Sequence, residues 1–289
     1  MLTDFIRYLE AERRYSPLTV RNYRHDIELF LAWLGISDTD SDLRRVTTED
    51  IREWIIFRNE EGRLSAASIN REISSLRSLF RWLLRTGVVS RDVAAPVASL
   101  KTSRRLPAFV PESRMSGIVS DCEQDSDDFT RERNSLIVLL FYACGLRLAE
   151  LVGIDRRDFS EDYTSLRIRG KGDKERRVYF DAKAKLHLQD YLRSRTDANP
   201  ALFVTLDAPF DRLKISGVEI RLRELGRELN LDKIHPHKFR RTMATRAIDK
   251  GMPIEQVQKI LGHSQIGTTM QYAIVNQNNV KTSHQKFIA

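Results

Sequence analysis

Residues Ser65 to Gly87 read SAASINREISSLRSLFRWLLRTG, and the spacing predicts one long helix with two unlike faces. At 100° per residue, Ile69, Ile73, Leu76, Phe80 and Leu83 fall on one side, as a helix packed on a core requires. Asn70, Arg71, Ser74, Arg77, Ser78, Arg81 and Arg85 gather on the other, within an arc of about 100–120°. That arc holds no acid, although Glu72 is close in sequence. A solvated face usually mixes charge signs. An all-basic stripe dotted with Ser and Asn suits a DNA groove or a phosphate track, although an arginine-rich solvent face has the same pattern. Asn70, Arg71, Ser74, Arg77 and Arg81 are therefore the candidate DNA contacts.

The segments before it are also helical. In SPLTVRNYRHDIELFLAWLG, Ser16 offers an N-cap and Pro17 fits the first helical position, where its missing N–H costs nothing. Val20, Tyr23, Ile27, Phe30, Leu31 and Leu34 recur at helical spacing, and Gly35 ends the run. TDFIRYLEAERR and TTEDIREWIIFRNEEG add one helix each, which makes a four-helix unit over residues 1–95. Next, APVASLKTSRRLPAFVP carries three prolines and a basic cluster without periodicity, so residues 96–110 read as an exposed, extended linker.

A second domain is expected over residues 111–289. It opens with an apolar helix, RNSLIVLLFYACG, followed by LRLAELVGI. SLRIRGKGDKERRVYF reads as strand, turn, strand, its glycines flanking the turn. Helices follow in KAKLHLQDYLRSR, EIRLRELGREL, HKFRRTMATRAIDKG and PIEQVQKILGH. The fold expected is mainly α with one small β-hairpin, two domains being usual for 289 residues.

Charge points to a polyanion. The net charge is +8; through Arg105 there are 18 basic and 15 acidic residues, and beyond it 30 and 25. Both halves are basic, as expected if both grip DNA. No apolar run approaches the roughly 20 residues a bilayer needs, and MLTDFIRYLEAERR is too charged for a secretory signal. Cytoplasm is the expected location. Cys122 and Cys144 make neither a disulfide framework nor a zinc site.

Several chemistries can be set aside. Zinc would want His or Cys at i,i+3/i+4 or paired C-x-x-C, whereas HPHKF offers His235 and His237 at i,i+2. RGKGDKE is not a Walker motif, and no carboxylate cluster suited to metal-dependent hydrolysis surrounds the histidines. The remaining candidates are basic or nucleophilic: an arginine in CGLRLAEL, a lysine in RGKGDK, a His/Arg pair in HPHKFRR, and His263 and Tyr272 in LGHSQIGTTMQYA.

CGLRLAELVGI, GKGDKERRV, HPHKFRRTMATRAI and LGHSQIGTTMQYA occur in the order and spacing of the tyrosine recombinase (phage integrase) family, and the chain most resembles its short Xer-type members. The resemblance covers essentially the whole chain. It implies a helical, SAM-like core-binding domain, a linker and an α+β catalytic domain. It also implies six catalytic residues: Arg147, Lys171, His237, Arg240, His263 and the nucleophile Tyr272. Lys174 stands three residues from Lys171 in the same turn, and Arg241 occupies a position where members often have histidine.

The implied chemistry explains these residue types. Attack on a phosphodiester builds negative charge, and Arg147 and Arg240 can each offer a planar fork of donors to the non-bridging oxygens. Tyr272 would attack phosphorus, giving a 3′-phosphotyrosyl link and a 5′-hydroxyl. A phenol's ordinary pKa is about 10, so its proton must leave during attack. His237 is the family's proton acceptor, His263 would position a phosphate oxygen, and Lys171 would protonate the departing oxygen. The covalent link stores the broken bond, so no cofactor, metal or ATP is expected.

Double-stranded DNA with a specific site is the implied partner. The resemblance further implies strand exchange through a Holliday junction in a tetramer, either of one chain or with a second recombinase. A DNA translocase or accessory DNA-bending proteins are possible additions, and the C-terminal segment would dock on a neighbouring protomer. A catalytically idle DNA-binding regulator and a type IB topoisomerase-like enzyme are the competing readings. Chromosome dimer resolution and service to a mobile element both fit such a short enzyme.

Overall fold

Helix α1 spans Leu2–Ala11 and α2 spans Pro17–Leu34, which is capped as its sequence suggests. Ser16 Oγ accepts from the Thr19 N–H at 3.3 Å, Pro17 takes the first helical position, and Gly35 ends the helix at φ +67°. Helices α3 (Asp40–Arg45), α4 (Thr48–Glu60) and α5 (Ala66–Arg85) complete the unit. The short α3 is an addition to the expected four helices. Too short to show periodicity, it is set by its Thr39 cap, acids in its first turn and arginines in its last. The computed structural model describes residues 1–102, 110, 112–125, 127–170, 174–231, 234–273, 284, 285 and 288.

The chain divides into two units, Met1–Arg105 and Leu106–Ala289. In the first, Ile69, Ile73, Leu76, Phe80 and Leu83 of α5 are buried as expected, against Phe5, Ile27, Phe30 and Trp54 of the other helices. The expected linker is not exposed throughout. Val97 is buried in the first core, and Leu100 is held by Asn70. Val110 is buried in the second core, its N–H donating to Thr242 Oγ1. Scattered valines outweigh the lack of periodicity there, because apolar side chains near a core are buried whatever the backbone does.

The second unit is built around α7 (Asp128–Cys144), in which every residue from Arg133 to Phe141 is buried. A helix covered on all sides belongs at a centre, and α7 packs against α6 (Glu112–Cys122), α8 (Leu148–Val152), α9 (Ala182–Ser194) and α11 (Pro236–Asp249). Helix α6 was not among the expected elements, yet Met115, Ile118, Val119 and Cys122 are buried at i, i+3, i+4, i+7, a readable signal. Strands β1 (Ser165–Arg169) and β2 (Glu175–Tyr179) pair antiparallel, from Ser165 opposite Tyr179 to Arg169 opposite Glu175. Helices α10 (Ile215–Glu228), α12 (Ile254–Leu261) and α13 (Ile266–Met270) follow in order, α13 being another addition. Among the described residues, no helix is long and apolar enough to cross a membrane.

Candidate active site

The site begins where α7 stops. Gly145 is left-handed at φ +59°, and a Cβ there would run into the terminal methyl of Met243 on α11. The left-handed backbone favours glycine there, and a larger residue would also have to displace that methyl. The reversal sets Arg147 at the N-cap of α8. Glu150, one turn on, reaches back: its Oε2 accepts from the Arg147 N–H at 2.8 Å and its Oε1 from Arg147 Nη1 at 2.7 Å.

Glu150 is shared. Arg176, on β2, donates from Nη1 to Oε1 at 2.9 Å and from Nη2 to Oε2 at 2.8 Å. The carboxylate thus accepts four hydrogen bonds, which fills its capacity. Burial pushes its pKa up, but bonds from Arg176 and from the Arg147 backbone outweigh that and leave it lowered. It is an ionised holder, not a base.

Arg240 lies on α11 with 3% of its surface exposed. Its Nη1 donates to Gly145 O at 2.5 Å; its Nη2 serves Leu261 O at 2.5 Å and His263 Nε2 at 3.0 Å. Burial first, then the Arg147 charge, bring its pKa down to about 10. Arg147 meets the same end of α12, donating from Nη2 to Gly262 O at 3.3 Å. Helix ends expose carbonyls without partners of their own, so α12 seats guanidiniums naturally.

His263 follows directly after Gly262. Its Nε2 faces a guanidinium, which can only donate, so Nε2 accepts and Nδ1 carries the proton toward Thr269 Oγ1 at 2.9 Å. Burial, then Arg240, Arg147 and Arg176, bring its pKa down to about 4. The expected donation to a phosphate oxygen requires the other tautomer and a change of partner by Arg240. His237 is exposed, one turn before Arg240 on α11. Its pKa is lowered by desolvation and then by Arg240, Arg241 and Arg147, which suits a neutral proton acceptor.

Tyr272 is half-buried against Met243, Ala244, Val257 and Leu261, and its ring stacks on His263 with centroids 6.1 Å apart. Lys171 lies outside the described residues; its rival Lys174 is exposed, its carbonyl accepting from Gly170 N–H at 2.8 Å. The structure therefore brings Arg147, Arg240, His263 and Tyr272 to one place, with His237 at its rim. Nothing in the sequence pattern marks Arg176, Glu150 or Thr269 as part of the site. Arg176 stands in GKGDKERRV, but nothing local says where it points.

The N-terminal candidates divide. Arg71 is paired with Asp26 at 2.6 Å, an acid from α2 that the helix wheel could not place beside it. Asn70 exchanges two hydrogen bonds with the Leu100 backbone, and Ser74 Oγ donates to Asn70 O. Arg77 donates to Val97 O and to Ser99 Oγ. Arg81 lines a cleft of about 300 Å³ with Arg13, Arg77, Arg85 and three tyrosines, Tyr8, Tyr15 and Tyr23.

Comparison with known proteins identifies the family. Residues 109–279 match the phage integrase family, and residues 2–87 match the phage integrase N-terminal SAM-like domain. The chain belongs to that family: it is a site-specific tyrosine recombinase, a DNA strand transferase that works through a covalent phosphotyrosine. Among its relatives, the tyrosine recombinase XerC of Listeria welshimeri is 32% identical, over 98% of this chain and 95% of that one. XerC of Corynebacterium efficiens is 33% identical, over 96% and 88%. The fold is shared with the Tn1549 transposon integrase in complex with transposon right end DNA, at TM-score 0.77 and 20% identity over 100% and 99% of the two chains. It is shared also with XerH bound to palindromic difH substrate, at TM-score 0.76 and 17% identity over 99% and 84%.

Proposed function

We propose that the described cluster performs the strand transfer with the roles expected above. Arg147 and Arg240 bind the non-bridging oxygens of the scissile phosphate with the N–H groups that the carbonyls leave over. Such donors accelerate the step to the extent that they bind the transition state better than the ground state. Tyr272 attacks phosphorus, its proton passing to His237; the 5′-oxygen leaves with a proton from Lys171. In the reverse step the 5′-hydroxyl of a partner strand displaces Tyr272. The observation that carries this reading is the stacking of Tyr272 on His263, which itself touches Arg240, so nucleophile and cation lie in one cluster.

The chain would exchange strands between two sites through a Holliday junction, as a tetramer of itself or with a second recombinase, in the cytoplasm and on the nucleoid. A groove of about 520 Å³, lined by Tyr142, Tyr179, Met243, Ala247, Met252 and Ile260, is the proposed seat for a neighbour's C-terminal segment. The likeness to XerC proteins over nearly the whole chain supports chromosome dimer resolution with a translocase as the role. Accessory DNA-bending proteins would belong to service of a mobile element.

The test is covalent capture on nicked duplexes, with the trapped DNA ends sequenced to define the site. Wild-type protein should form an adduct and Tyr272→Phe should form none while still binding the duplex. Absence of adduct would leave a DNA-binding regulator. Relaxation of a supercoiled plasmid lacking the site would instead favour a topoisomerase-like enzyme.

A further inference from the structure

Arg176 has a side chain only 10% exposed although it stands on a two-stranded hairpin. Besides its paired bonds to Glu150, its Nε donates to Ile260 O at 2.6 Å. Three successive carbonyls at the end of α12 are thereby occupied by three arginines: Ile260 by Arg176, Leu261 by Arg240 and Gly262 by Arg147. A Cβ on Gly262, at φ +64°, would come within 3.2 Å of Arg176 Cδ. The backbone is fitted to that side chain.

We propose that Arg176 is a positioning residue for strand cleavage: it neutralises Glu150 and fixes the end of α12, so that Arg147 and Arg240 are presented to the phosphate. The inference rests on the assignment of those two arginines as phosphate ligands. Glu150 is a buried carboxylate, its side chain 4% exposed. With Arg176 present, the carboxylate has two cations and Arg147 keeps charge to spare. Without Arg176, the carboxylate would have Arg147 as its nearest cation and would draw it inward, because a buried charge is costly unless paired. An incoming phosphate would then meet an uncompensated anion. Arg176 also lies five positions beyond Lys171, so the same grip ties the base of the hairpin to the loop that carries Arg147.

The test uses the full-length protein on a nicked duplex carrying its site, reading single-turnover adduct formation at saturating protein and, separately, the Kd. Arg176→Gln should slow adduct formation about 30- to 300-fold and change Kd less than about threefold, as expected for a group acting only on the reacting geometry. Adding Glu150→Gln should restore about tenfold, since groups in one network are not additive. Arg176→Lys, which keeps the cation without the fork, should be slowed about tenfold and serves in place of the glutamine variant if that does not fold. A wild-type rate in either Arg176 variant, a loss confined to Kd, or equal slowing with and without Glu150 overturns the inference. A wild-type protein that forms no adduct overturns the strand-cleavage assignment and this inference together.

Discussion

Replacing Arg240 with glutamine should separate catalysis from stability. Two opposed effects act on the DNA-free protein. The carbonyls of Gly145 and Leu261 lose a shared donor, and a buried carbonyl left unpaired costs about 1–3 kcal/mol. Glutamine's amide can serve one of them. Against this, a buried cation is removed, and its pKa, brought down to about 10 from an ordinary 12.5 by burial and then by Arg147, corresponds to roughly 3 kcal/mol of unfavourable charge. The two nearly cancel, and the net change in stability should stay within about 2 kcal/mol. Catalysis has no such compensation. Removing a well-aimed transition-state donor costs about 10²- to 10³-fold, and the substitution also removes the charge. Urea melts without DNA and single-turnover adduct formation at saturating protein measure the two quantities. Inorganic phosphate should also stabilise the wild type more than the variant, because an anion bound to the folded state shifts the equilibrium by linkage. Cleavage within tenfold of wild type, or a stability loss large enough to unfold the variant during the assay, would refute the reasoning.

Two further outcomes follow from particular contacts. His263 has its folded pKa lowered to about 4 from 6.5, so the unfolded state binds more protons between those values and its contribution to stability is lost as pH falls through that window. The stability difference between wild type and His263→Gln should therefore shift in the variant's favour from pH 6.5 to 4 and stay flat above, as read by denaturant melts across pH. Asn70→Ala removes both hydrogen bonds to Leu100 and should cost about 1–3 kcal/mol in the first unit, with faster proteolysis near Lys101; an unchanged cleavage pattern would show that these bonds do not hold the segment.

Much of the fold was legible because its signals are local. Ser16, Pro17 and Gly35 bound α2 through groups within a turn of each helix end, so the sequence states the answer directly. The apolar side of α5 was readable for the same reason, since helical periodicity needs no knowledge of the partner. The basic side was not. Asp26 pairs with Arg71 from 45 positions away, and Asn70 and Arg77 turn to the backbone of the following segment, none of which a helical wheel can show. Helix α3 carries too little pattern in six residues to be legible, whereas the apolar spacing of α6 is readable.

By itself the sequence determined the helical frame, the hairpin and which side chains could handle a phosphate, since caps, periodicity and motif spacing are properties of neighbours along the chain. The tertiary structure decided which partners those side chains take. It put Arg147 and Arg176 on one carboxylate, gave the end of α12 to three guanidiniums, and left His263 Nε2 accepting from Arg240 while Nδ1 donates to Thr269. Such choices depend on burial and on competing partners from distant segments, and these exist only once the chain has closed on itself.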